Sequence, residues 1–413
     1  MPTAQIERRL ALVWFLYFAG FGLYFPFWSL YLTENAALSG SEAGVVLATL
    51  SLMGMLAQPF WGQIADRTGS RTRVLGVIAL GAALGFLGLY HARGFVGLLL
   101  ANALFAGFHT AMIPMTVSVT LAILSDASHH AFGLVRAVGT VGFLVTAWTF
   151  PRALDALQAS QGWEAVPGGP SEPRLELLFL ASATLAVCAA AMTFSLPRTG
   201  AVSMQAGRGD WRALRRHRPY VRLTAFSLTV YLFTHGPMLF FPQLVVAHGG
   251  TLATVSNLWV PMIALEVPGL ALSGMLVRRL GPRGLIAIGL AAAGLRWVLC
   301  GFFPSIPVFY VSSLLHGVTI AGLMMGTPLS VEAVVPAKLR STGQGLVATS
   351  VHLGAMFSAV ITGQVAGRFG IETPYAMGGL AALAMMAALP WILPEPHRPP
   401  EELAAEPVPA LRP

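Results

Sequence analysis

Three ionisable residues stand deep inside apolar runs of this chain. Glu266 lies in NLWVPMIALEVPGLALSG, Arg296 in LAAAGLRWVLCG and His316 in YVSSLLHGVTIAG. A charged group at the centre of a bilayer costs about 2.5–3.5 kcal/mol or more, so it needs a partner and marks function by default. A carboxyl, a guanidinium and an imidazole on three consecutive segments form a network able to take up and release a proton, because burial and neighbouring charge tune the acid. The structural alternative is a fixed Glu–Arg bridge that only orders the helices. Arg136, in AFGLVRAVGTVGF, opens another apolar segment and reads either as a membrane anchor or as a solute contact. His109, His235 and His352 read as hydrogen-bonded interior residues, and their spacing is not that of metal ligands. The aromatic run Tyr24, Phe25, Phe27, Trp28 and Tyr31 reads as packing and interfacial belt. Tyr24 and Trp28 are the candidates within it for the wall of a flat apolar pocket.

Other chemistry is missing. No G-x-x-x-x-G-K-[ST] loop, H-E-x-x-H or G-x-S-x-G occurs, and the only lysine, Lys338, has no glycine cradle. GQGLVA at 343–348 has the outline of a dinucleotide fingerprint but opens an apolar segment with no strand before it. Cys188 and Cys300 sit in apolar runs as packing residues. The sequence therefore reads as no enzyme, with no cofactor and no metal, and any work it does is driven by a gradient.

The elements that must hold these residues are membrane helices. Of 413 residues, 55% are apolar and only 10% are Asp, Glu, Lys or Arg, against roughly 25% charged in soluble domains. Mean hydropathy is +0.70. Charges this sparse cannot cover a water-facing surface, which excludes an ordinary cytosolic enzyme, a disordered protein and a soluble repeat array. A spanning helix takes about 20 apolar residues, and the pattern predicts twelve: 10–33, 43–64, 73–92, 95–121, 132–154, 174–196, 220–246, 252–277, 284–303, 307–331, 342–364 and 374–393. The opening segment reads as the first of these spans and not as a cleaved leader.

Charge sets the expected orientation. Of the 25 basic residues, nineteen fall on one side if the N-terminus is cytoplasmic, and only Arg93, Arg152, Arg174 and Arg368 fall on the other. The net charge of +8 thus reads as membrane topology and not as affinity for nucleic acid. The long polar stretch 197–219 is expected to be a cytoplasmic linker, with a short in-plane helix near Trp211, joining halves 1–196 and 220–393. Residues 394–413 are expected to be a disordered cytoplasmic tail. The halves repeat: GQIADRTGSR at 62–71 and GMLVRRLGPR at 274–283 share glycines and arginines at the same spacing, with Arg278 where the first copy has Asp66. Duplicated halves put a binding site between them near the midplane.

GQIADRTGSR resembles the loop signature of the major facilitator superfamily, with Gly62, Asp66, Arg67, Gly69 and Arg71 on its positions. FGLYFPFWSLYL, GLVRAVGTVGF, ALEV, LRW and LLHG resemble the lactose and phenylpropionate permease branch, over about Arg9 to Gly370. The resemblance implies an all-α integral membrane protein of twelve helices in two pseudo-symmetric six-helix bundles. It implies that Arg136 contacts solute, that Glu266 links solute binding to proton transfer, that Arg296 and His316 couple the two, and that Asp66 and Arg67 belong to a cytoplasmic gate. Thr319 and Val117 stand where branch members carry further acids, which leaves Glu266 as the mid-membrane carboxylate. VGTVGFLVTAW lacks the glycine–proline signature of drug/proton antiporters.

The expected function is secondary active transport of a small organic solute by alternating access, as proton-coupled symport. Arg136 and Arg296 together exceed Glu266 by one positive charge, which favours an organic and possibly aromatic acid. Sugar or nucleoside symport and drug or metabolite efflux by proton antiport are the alternatives. The expected partners are solute, proton and the lipid bilayer, with the chain a monomer in a bacterial-type inner membrane and both termini cytoplasmic.

Overall fold

In lipid, backbone polar groups must be satisfied within the chain, so an apolar chain of this length crosses the membrane as helices. The computed structural model describes residues 3–124, 129–165, 172–198, 211–336 and 339–393, and no strand occurs among them. The spanning helices of the first half are α1 (Thr3–Tyr24), α2 (Gly40–Thr68), α3 (Arg71–His91), α4 (Gly94–Ile123), α5 (His129–Gln161) and α6 (Leu177–Phe194). A short helix α7 (Trp211–Arg216) follows, then α8 (Arg218–Ala247). The helical stretch Leu252–Phe302 breaks at Gly281 into α9 (252–280) and α10 (282–302). Next come α11 (Ile306–Val334), α12 (Arg340–Phe369) and α13 (Thr373–Ile392). Eleven described stretches are long and apolar enough to span a membrane, and α9 carries the further apolar segment Leu252–Glu266. These are the twelve helices expected. Residues 199–210 of the linker, Lys338 and the tail 394–413 lie outside the described residues.

The first span departs from the simple pattern. α1 stops at Tyr24, and the chain resumes as a turn at Trp28–Leu30 and a π-turn at Tyr31–Asn35. Pro26 explains the interruption: it has no N–H to give and it disfavours helical geometry at Phe25.

Duplication is visible in the contacts. α1 lies along α5 as α8 lies along α12; α3 packs on α4 and α6 as α10 packs on α11 and α13. The repeated loops share a backbone feature too. Gly69 and Gly281 both take left-handed φ, at 63° and 66°, a region that side-chain-bearing residues avoid. Each thereby turns the chain from one span into the next. α7 docks on the second half through Leu214, which is buried with Tyr220, Leu223 and Val331.

The halves meet along α2 and α12 and where α5 crosses α9. We call the two faces the linker end, which carries α7, and the far end. The helix contacts that join the halves sit toward the far end. A Cβ on Gly40 would lie 2.8 Å from the Gly363 carbonyl, so α2 and α12 touch backbone to backbone there. Gln243 Nε2 donates to the Ser29 carbonyl at 2.9 Å and Arg152 Nη2 to Asn257 Oδ1 at 3.2 Å. Side chains such as Leu84, Leu100, Val311 and Trp391 are exposed on the outer surface, as a lipid-facing belt requires.

Candidate functional site

Site geometry begins with how closely three helices of the second half approach. Gly317 permits it: a Cβ there would run into the backbone of Leu265 and Glu266. Glu266 on α9 and His316 on α11 are therefore held one backbone contact apart. Arg296, two-thirds of the way along α10, reaches the other face of His316. Its Nη1 lies 2.8 Å from His316 Nδ1. Since arginine only donates, Nδ1 accepts, and the imidazole is neutral with its proton on Nε2.

Arg296 is 1% exposed and carries no ion pair among the described residues. Its other neighbours are neutral and soft. Nη1 and Nη2 lie 3.5 Å from Met238 Sδ and 3.8 Å from Met262 Sδ. The guanidinium stacks 4.2 Å from the Trp297 ring and 4.9 Å from Phe241. Nε is buried without a partner. Each cation–π contact is worth about 0.5–2 kcal/mol, less than the several kcal/mol that removing an ion from water costs. The charge is eased, not cancelled.

Glu266 is half-buried on α9, and among the described residues no ion pair joins it to Arg296 or to Arg136. Arg136 stands on α5, the helix of the first half that crosses α9, 6.0 Å from the Trp14 ring. Arg296 and His316 form a separate unit.

On the far-end side the site is covered by Trp259, seven residues and roughly 10 Å into α9. Its ring packs 5.6 Å from Phe25 and 5.0 Å from Phe143, both in the first half, and 6.3 Å from His316. Trp259, Asn257 and Gln243 were not singled out by sequence, because an aromatic or amide in an apolar helix carries no sign of which face it occupies, and Arg152 was read only for its side of the membrane.

Tyr24 and Trp28 do not line the cleft. Tyr24 is 0% exposed and packs on Phe86, Phe105 and Asn102 inside the first half; Trp28 packs on Phe179 and Tyr31. Phe25, beside Tyr24, packs instead on Trp259 of the second half. His109 is likewise enclosed by rings, stacking on Phe105 at 4.6 Å and Phe21 at 5.5 Å. His235 joins Arg296 and His316 around a cavity of about 90 Å³ within the second half, and His352 lies against Gly54 where α12 meets α2.

The loop signature sits at the linker end. Asp66 Oδ1 pairs with Arg71 Nη2 at 3.2 Å, and Arg71 Nη1 donates to Ser118 Oγ at 2.9 Å. Arg67 is exposed and no neighbour crowds Gly62. Among the described residues no group of three metal-binding side chains occurs.

Residues 8–377 match the family described as "MFS_1 like family". The chain is 26% identical over 385 residues to the maltose permease of Geobacillus stearothermophilus, covering 90% of this chain and 91% of that one. It is 26% identical over 341 residues to the "Probable 3-phenylpropionic acid transporter" of Escherichia coli K12, covering 76% and 78%. Among solved structures the nucleoside transporter NupG superposes with a TM-score of 0.80 at 16% identity, covering 96% of this chain and 100% of that one.

Proposed function

Because the chain belongs to the MFS_1 like family, within the major facilitator superfamily of membrane transporters, we propose that it is a proton-coupled symporter of a small organic acid, working by alternating access. The halves 1–196 and 220–393 rock about the site, joined by the linker 197–219. The linker end faces the cytoplasm of a bacterial inner membrane, so the state described here is closed to the outside. The chain acts as a monomer and makes or breaks no covalent bond in its solute.

One observation carries this reading: a half-buried carboxyl, Glu266, stands on α9, the helix of the second half that is crossed by α5, which carries Arg136. A protonatable group at the seam between two moving lobes changes surroundings as they move, which is the requirement for coupling proton to solute. Ionised, Glu266 attracts Arg136 across the seam; protonated, it does not. Arg296 then remains as the second cation, and an anionic solute supplies the missing charge. The resemblance to a 3-phenylpropionic acid transporter supports an acid. The maltose permease, which matches more of the chain, supports sugar symport as the second reading.

The test is uptake into proteoliposomes under an imposed pH gradient. Glu266→Gln is expected to abolish uphill accumulation while solute exchange persists. Accumulation that survived the substitution would remove Glu266 from the proton path.

A further inference from the structure

The cavity behind His316 has an unusual set of walls. Arg296, His316, His235 and Tyr231 contribute its polar atoms, with Thr234 and Thr319 beside them, and neither Asp nor Glu lines it. The two threonines give their hydroxyl protons to their own helices, Thr234 to the Val230 carbonyl and Thr319 to that of Leu315. What remains is a set of donors. Each neutral imidazole carries one N–H, and that of His316 is on Nε2 because Nδ1 accepts from Arg296.

Arg296 has one edge spoken for and one not. Nη1 is bonded to His316, whereas Nε has no partner and Nη2 meets only the Met262 thioether at 3.8 Å. That edge lies against Met262, which is not among the cavity's walls, but the guanidinium as a whole carries a charge that no acid answers among the described residues, and a carboxylate is its usual partner. Methionine is the side chain most easily repacked when a ligand enters. One unpaired cation asks for one negative charge. The volume of about 90 Å³ is several times the roughly 10–15 Å³ that one water needs, but less than the roughly 150 Å³ cavity known to take a benzene ring.

We propose that this cavity is the acid-head subsite: it takes the carboxylate of the solute and a short aliphatic stem against the guanidinium of Arg296 and on Nε2–H of His316, with His235 and Thr319 limiting how far the solute enters. A bulky or aromatic remainder stays outside it, on the Trp259 side of His316. This rests on the symport reading for the identity of the solute, but it makes a separate claim about recognition.

The experiment is binding to the purified full-length protein, by calorimetry and thermal shift, of acetate, propionate, 3-phenylpropionate and their neutral amides, with chloride as the inorganic control. Propionate and 3-phenylpropionate are expected to bind about 10- to 100-fold more tightly than their amides, the range that charge-assisted hydrogen bonds supply. Thr319→Leu fills the cavity and leaves Arg296 in place; it is expected to erase that preference without lowering the melting temperature of the free protein. Arg296→Gln should erase it too. Amides binding as well as acids, chloride competing as well as propionate, or a preference untouched by Thr319→Leu would each overturn the subsite. Acid binding that obeys these expectations without any proton-driven uptake leaves the subsite standing and removes the symport reading. Proton-driven uptake of a neutral solute with no carboxylate binding does the reverse.

Discussion

Trp259 offers the sharpest test of how the far end is held shut. Its ring makes two contacts that cross between the halves, with Phe25 and with Phe143. Aromatic pairs contribute about 0.5–1.5 kcal/mol each beyond the area they bury, so together these two favour the closed far end by about 1–3 kcal/mol. Removing them in Trp259→Ala should shift the ratio of far-end-open to far-end-closed molecules by about 5- to 150-fold. Ser41 and Arg368 are exposed residues on either side of the Gly40–Gly363 contact. A nitroxide pair at these positions, in a background lacking Cys188 and Cys300, reads the two populations as two distances. The longer distance should grow in Trp259→Ala, and Trp259→Phe, which keeps a ring, should return most of the population to the shorter one. Distance distributions that coincide in wild type and Trp259→Ala would refute the reasoning, as would a phenylalanine variant that opens as far as the alanine.

Two further expectations follow from the same geometry. Gly363→Val places atoms against the Gly40 carbonyl, where there is no room; overpacking of this kind costs about 1–3 kcal/mol, so the same nitroxide pair should report an opened far end, whereas Gly367→Ala, with nothing within 4 Å, should report no change. Glu172, in the far-end loop before α6, has its carboxyl pushed above the ordinary range by burial and then by the charge of Asp155, against a hydrogen bond from Gln158 that pulls the other way. Its ionised form is thus disfavoured in the folded protein, and the penalty is absent in acid and appears as pH rises through the carboxyl range. Glu172→Gln should raise the melting temperature at neutral pH, and the gain should vanish on acidification below that range.

How much of this was written in the sequence depends on which property is asked for. The helices were legible because hydrocarbon leaves the backbone so few options, and the duplication because Gly69 and Gly281 are required at a left-handed turn in each half. Glu266, Arg296 and His316 were legible as a set because ionisable groups in apolar runs are costly. Their pairing was not. Residue spacing across separate helices does not say which faces meet, and the bond that forms is Arg296 with His316, while Glu266 makes no ion pair with Arg296. A signal did exist: Gly317, directly after His316, removes the side chain that would have kept α9 away. Tyr24 and Trp28 were misplaced for a related reason, since an aromatic run does not say which of its rings face the other half once Pro26 breaks the span.

The chemistry of the far-end seal also bears on how such a protein moves. It is made of rings, backbone-to-backbone contacts between α2 and α12 and two side-chain hydrogen bonds, and among the described residues no ion pair joins the halves there. Hydrogen bonds of this kind contribute about 0.5–1.5 kcal/mol each, rising to about 1.5–3 where one partner is charged, as Arg152 is. With the two ring pairs the named contacts amount to a few kcal/mol. That is the range in which differential binding can act, because moving an equilibrium from 1:99 to 99:1 takes about 5.5 kcal/mol. A titratable group, Glu266, does stand beside the seam, half-buried on α9, where a single proton changes its charge.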